Sequence, residues 1–219
     1  MTEAELFDRL ACLAEQGRAA RLGIMGGTFD PPHVGHVALA RAAADQLGLD
    51  FVLFMPAGNP SFKRDKAVTP AMHRLAMLEL ALGAQTSYAV SSREIDREGI
   101  TYTADTLEEL KSLVPVVTQL VFIMGGDSLR TLPCWRRAHR ILELCDVAVG
   151  PRKGEDATAD LRALLEFDPD ARVNIFDSST VPTVSSTQLR DELSHGAEPL
   201  GMMSPSVLRY IRENKLYTC

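Results

Sequence analysis

Apolar residues come in short unbroken runs along this chain, at 22–25, 51–55, 120–124, 147–149 and, more weakly, 173–176. A run apolar at every position, with no alternation, suits a strand covered on both faces, as in a parallel sheet clad by helices. The segments between the runs change period. Residues 34–48 are rich in Ala and Leu. Thr69-Pro70 precedes Met72, Leu75, Met77, Leu78 and Leu82, which predicts a helix with Thr69 as cap and Pro70 in its first position. Helices are also expected over 103–114 and 157–166, after Ser185-x-x-Gln188, and after Ser204-Pro205 with Val207, Leu208 and Ile211 on one face. Ahead of all this, Thr2-x-x-Glu5 reads as a capping box, and Leu6, Leu10 and Leu13 predict a helix over 2–16. Strand and helix then alternate from 21 to about 177, which is the pattern of a Rossmann-like, doubly wound α/β fold. The expected organisation is an N-terminal helical extension, 1–20, followed by a single domain, 21–219.

Composition narrows the chemistry only a little. A net charge of −6 argues against a broad nucleic-acid surface, so any anion site must rest on local groups such as His33, His36, Lys63, Arg64 and Lys66. Cys12, Cys134, Cys145 and Cys219 show no zinc or redox spacing, and no apolar run approaches the length of a membrane span. The acidic start differs from a signal peptide, so a cytoplasmic protein is expected.

The segment after the first run carries the chemistry: Gly26-Gly27-Thr28-Phe29-Asp30-Pro31-Pro32-His33-Val34-Gly35-His36. A glycine turn between strand and helix lets backbone approach an anion, and imidazoles at the helix mouth add donors for a phosphoryl oxygen. It is neither a Walker loop nor a dinucleotide fingerprint, because the spacing of both is absent. On its own, a histidine pair in such a turn is as compatible with a self-satisfied loop as with catalysis. Asp30, inside this segment, is expected to fix the loop rather than to hold a metal.

The whole string resembles the signature of the nucleotidyltransferases built around His-x-Gly-His, and Gly-Gly-Thr-Phe-Asp-Pro looks most like the nicotinate-nucleotide adenylyltransferases. Four later segments fit that resemblance in order. Asn59-Pro60-Ser61-Phe62-Lys63 is similar to the family's Asn-Pro-Pro-His-Lys loop, with Ser61 and Phe62 as departures. Thr101-Tyr102-Thr103-x-x-Thr106 looks like Ser-Tyr-Thr-x-x-Thr, where a helix start meets the pyridine carboxylate. Gly125-Gly126-Asp127-Ser128-Leu129 leads to Trp135, similar to Gly-x-Asp-x-Leu…Trp, with Arg136 where the family often has an aromatic. Ser185-Ser186-Thr187-Gln188-Leu189-Arg190 resembles Ser-Ser-Thr-x-Ile-Arg. Without the resemblance these would read as a basic loop, helix caps and a packing tryptophan.

The resemblance implies transfer of AMP from ATP to nicotinate mononucleotide, giving nicotinate adenine dinucleotide and pyrophosphate. It implies His33, His36 and Arg190 as catalytic residues. ATP is expected on Gly26, Gly27, Thr28, Phe29, His33, His36, Gly125, Asp127, Ser185, Ser186, Thr187 and Arg190. The mononucleotide is expected on Asn59, Lys63, Thr103, Asp127 and Trp135. Mg²⁺ is expected to ride on the ATP phosphates, with no protein metal site, and a homo-oligomer stays open. Two alternatives remain: a relative acting on nicotinamide mononucleotide or phosphopantetheine, and a nucleotide-binding regulator without turnover. His73, His139 and His195 are expected to be structural.

Overall fold

In the computed structural model, residues 1–58, 68–152 and 154–218 are described. Six strands among them form one parallel sheet: β1 (Arg21–Gly27), β2 (Phe51–Pro56), β3 (Tyr88–Val90), β4 (Gln119–Gly125), β5 (Asp146–Gly150) and β6 (Val173–Ile175), in spatial order β3-β2-β1-β4-β5-β6. This is the doubly wound order, with the chain progressing one way from β1 and then, from β4, the other. The apolar runs became strands because both faces are buried. Leu22, Ile24, Leu53, Met55, Leu120, Phe122, Met124, Val147 and Val149 point into one core; Met25, Val52, Phe54, Val121, Ile123 and Ala148 point into the other.

Helices cover each face. The first core is closed by α1 (Glu3–Glu15), whose Leu6 and Leu10 are fully buried, and by α5 (Thr103–Leu113), α6 (Gly126–Thr131), α7 (Ala138–Leu144) and α8 (Thr158–Phe167). The short α4 (Arg93–Asp96) precedes α5. The second core takes α2 (Val34–Leu47) and α3 (Ala71–Leu82), and a third cluster joins Met77 of α3 to α9 (Ser186–Ser194) and α10 (Pro205–Glu213). The Thr2–Glu5 capping box forms, and Ser204 caps α10 through Val207 N–H.

Several expectations shift. Pro70 is the cap of α3 rather than its first residue, and Thr69 lies outside the helix. The box expected at Ser185 does not form: Ser185 makes no side-chain cap bond, and Gln188 turns to Glu192 at 2.8 Å. Three elements have too little periodicity to show in the sequence: β3, with only three residues, α4 and α7. The three histidines set aside as structural do have partners, His73 on Tyr210, His139 on Asp168 and His195 on the Asp191 carbonyl. Among the described residues, no helix is long and apolar enough to cross a membrane.

Candidate active site

The carboxyl ends of β1 and β4, where the direction of winding reverses, open onto a cleft of about 530 Å³. A crevice at this point is where open α/β sheets bind ligands, and the volume is in the range of a ligand pocket. Of the residues expected to contact ligand, Gly26, Gly27, Thr28, His33, His36, Thr103, Gly125, Asp127, Trp135, Ser185 and Ser186 line it.

His33 caps α2 in an extended conformation, and its backbone N–H donates to His36 Nδ1 at 3.2 Å. That bond assigns Nδ1 of His36 as an acceptor and leaves the proton of the neutral ring on Nε2. The two rings stack at 3.6 Å, and Phe29 meets His36 edge-on at 5.0 Å. Phe29 itself is buried and backs His36 from the core. Burial depresses the His33 pKa to about 4, which makes this imidazole neutral near pH 7. Its Nδ1 is buried with no hydrogen-bond partner among the described residues.

Gly35 is the reason the ring can sit there. A Cβ at this position would lie 2.9 Å from the Pro182 carbonyl and 3.0 Å from His33 Nδ1. The helix start is less open than the sequence alone implies: Val34 N–H donates to Met202 O and His36 N–H to His33 O, each at 3.0 Å. The imidazoles, more than the bare helix end, are what α2 offers the cleft.

Arg190 lies against the loop in front of His33. Its guanidinium donates to Asp30 O at 2.7 Å and Thr187 Oγ1 at 3.2 Å, and neither Arg190 nor Thr187 lines the cleft. Ser186 Oγ likewise donates to Pro31 O at 3.0 Å. These groups hold the loop before His33 in place. Asp30 does the same from within, accepting from Tyr217 Oη at 2.6 Å, with burial and that bond pushing the tyrosine pKa up.

Sequence reasoning missed a second brace, Arg74. It is 1% exposed, and donates to Thr69 O at 2.9 Å, Thr28 O at 2.8 Å and Gly58 O at 3.1 Å. One side chain thus ties the loop after β1, the loop after β2 and the approach to α3. Its only signal was an arginine among the apolar positions of a helix that also carries His73 and Glu79.

On the far wall, α5 begins at Thr103 with Tyr102 as its cap, and Thr106 turns its hydroxyl to Glu94 rather than to a helix end. Arg136 stacks over Tyr102 with 4.5 Å to the ring centre. Trp135 stands edge-on to Phe122 at 6.0 Å and donates to Thr131 Oγ1 at 3.3 Å. Asp127 pairs with Arg152 at 3.0 Å. Asn59 and Lys63, like Phe62, Arg64 and Lys66, lie outside the described residues. Among the described residues no three His, Cys, Asp or Glu side chains gather as a metal cage.

Known proteins are similar to this chain. The model of the cytidylyltransferase-like family matches residues 24–192. A protein of Dehalococcoides mccartyi named a probable nicotinate-nucleotide adenylyltransferase is 41% identical over 198 residues, 90% of this chain and 97% of the relative. One of the same name from Neisseria meningitidis is 41% identical over 201 residues, 90% of this chain and 98% of the relative. The Plasmodium falciparum nicotinic acid mononucleotide adenylyltransferase, solved with APC, superposes with a TM-score of 0.72 at 17% identity, over 90% of this chain and 97% of that one, a likeness of fold. With the histidine pair, its bracing loop and the crevice all in this order along the chain, the protein belongs to the cytidylyltransferase-like nucleotidyltransferases, in the branch of the nicotinate-nucleotide adenylyltransferases.

Proposed function

We propose that this enzyme transfers AMP from ATP to nicotinate mononucleotide, forming nicotinate adenine dinucleotide and pyrophosphate, a step of NAD biosynthesis. The observation that carries the reading is one cleft holding the stacked His33–His36 pair on one wall and, on the other, the start of α5 beside Trp135. A helix start favours an anionic carboxylate over a neutral amide, and an indole face suits a pyridine ring. The mononucleotide's phosphate oxygen attacks the α-phosphorus of ATP, a new P–O bond forms, and the bond to the β-phosphate oxygen breaks to release pyrophosphate. Such transfers ask the protein chiefly for positioning and for stabilising charge.

His36 is suited to donate from Nε2 to the α-phosphate as charge builds on it, and neutral His33 adds a donor without a fixed positive charge. Ser185 and Ser186 start α9 at the pyrophosphate side, while Arg190 serves as a positioning residue through Asp30 O. Mg²⁺ belongs to this reading as part of the ATP substrate, and no step is assigned to it. A cytoplasmic setting fits such a biosynthetic role.

Pyrophosphate release with MgATP, measured side by side with nicotinate mononucleotide, nicotinamide mononucleotide and phosphopantetheine, tests the reading. Nicotinate mononucleotide should be strongly preferred, and His36→Ala should lower turnover far more than stability. Preference for either other acceptor rejects the acceptor assignment. ATP binding with no turnover on any of them rejects the enzyme.

A further inference from the structure

The far wall contains a carboxylate with no role in the chemistry above. Glu94, in the single-turn α4, lines the cleft together with Thr101, Thr103 and Thr106. Thr106 Oγ1 donates to Glu94 Oε1 at 2.8 Å, and Arg97 Nη1 donates to that same hydroxyl at 2.9 Å. The backbone is locked as well. A Cβ on Gly58 would collide with the Glu94 carbonyl oxygen, so the loop after β2 packs main chain against main chain here. Behind the cleft, Arg93 bridges Glu3 of α1 at 2.9 Å and Glu109 of α5 at 2.8 Å, and Arg97 also pairs with Glu109.

Among the described residues, no arginine or lysine forms an ion pair with Glu94. Both nearby arginines, Arg93 and Arg97, are engaged by Glu109; Arg97 also favours the ionised form of Glu94 by its charge and donates to the Thr106 hydroxyl that Glu94 accepts from. Glu109 itself repels it, Thr101 and Thr106 offer hydroxyls, and Arg74 of α3, which reaches the same loop, is committed to backbone carbonyls including Gly58 O. Burial outweighs these hydrogen bonds and holds the Glu94 carboxyl above its ordinary range.

We propose that Glu94 reads the substituent on the pyridine ring, as an acid donating to a carboxylate and as a carboxylate accepting from an amide, so that preference for the acid substrate falls as pH rises. The proposal rests on the nicotinate-mononucleotide reading. Two carboxylates in contact on this half-buried wall disfavour each other's ionised form, so they share a proton. Above the pKa of free Glu94, nicotinate mononucleotide therefore binds with uptake of one proton from solvent, and nicotinamide mononucleotide binds with none.

The test is kcat/KM for both mononucleotides with MgATP across about pH 5.5 to 8.5, for the full chain and for E94Q. Both substrates carry the same phosphate, so its titration cancels in their ratio. The acid-to-amide ratio of the wild type should fall by up to about tenfold per pH unit on the alkaline limb, and that of E94Q should be flat. Calorimetry of nicotinate mononucleotide binding in buffers of different ionisation enthalpy should show proton uptake by the wild type, a readout that needs no variant. A flat wild-type ratio, no proton uptake, or an unchanged slope in E94Q overturns the proposal. Failure of the parent reading looks different: the wild type then does not use nicotinate mononucleotide at any pH, and the proposal falls with it.

Discussion

Replacing Arg74 by methionine removes a guanidinium while keeping much of its volume. Its three donor nitrogens hold Thr69 O, Thr28 O and Gly58 O at 2.9, 2.8 and 3.1 Å. Hydrogen bonds to a charged group contribute about 1.5–3 kcal/mol each. Thr28, Gly58 and Thr69 are only half-buried, so water reaches part of what is vacated, and about 1 kcal/mol per carbonyl is the better estimate. The buried cation is itself costly, with burial depressing its pKa and the Asp30 charge opposing that, and methionine regains some apolar contact. The net expected loss is about 2–4 kcal/mol. With a denaturant slope of about 2–3 kcal/mol/M, the urea midpoint should fall by about 1 M. Turnover should suffer too, because the freed carbonyls belong to loops at the cleft; displacement of about 1 Å costs roughly a hundredfold. The assay is a urea melt paired with pyrophosphate release on the same preparation. A midpoint shift below about 0.2 M would refute the energetics. A full loss of stability with unchanged kcat/KM would refute the claim that Arg74 sets the shape of the site.

Two more expectations concern the histidine pair. Between pH 6.5 and about 4 the unfolded chain binds a proton at His33 that the folded chain refuses, so stability falls on acidification. The loss is about 2 kcal/mol between pH 6.5 and about 5, and His33→Gln should lack it; equal acid sensitivity in both proteins, by urea melts at each pH, would count against the buried neutral imidazole. Gly35→Ala should push the His33 ring or the Pro182 carbonyl aside, lowering kcat/KM by roughly a hundredfold at a stability cost of about 1–2 kcal/mol, and unaltered turnover would show the contact to be slack.

Much of this molecule was legible because its strands are buried on both faces. Runs such as 120–124 can hardly be anything else in a chain alternating with helices, and the His-x-Gly-His segment is contiguous, so its residues arrive in the cleft together. What stayed hidden depends on residues distant in sequence. Arg74 and Tyr217 mean nothing until the fold brings Thr28 and Asp30 to them. The sequence shows the charge of Arg190 but not the Asp30 carbonyl that engages it. Glu94 sits in a four-residue helix too short for any periodicity to mark.

The bond from Tyr217 to Asp30 spans 187 residues. At a synthesis rate of about 5–20 residues per second, Tyr217 is made roughly 10–40 s after the loop it secures. A nascent chain can therefore pair its strands and expose both histidines while the segment before them still lacks its clasp. Competence is conferred late, by a residue far from the chemistry, so shortened translation products would carry the signature without the geometry that makes it useful.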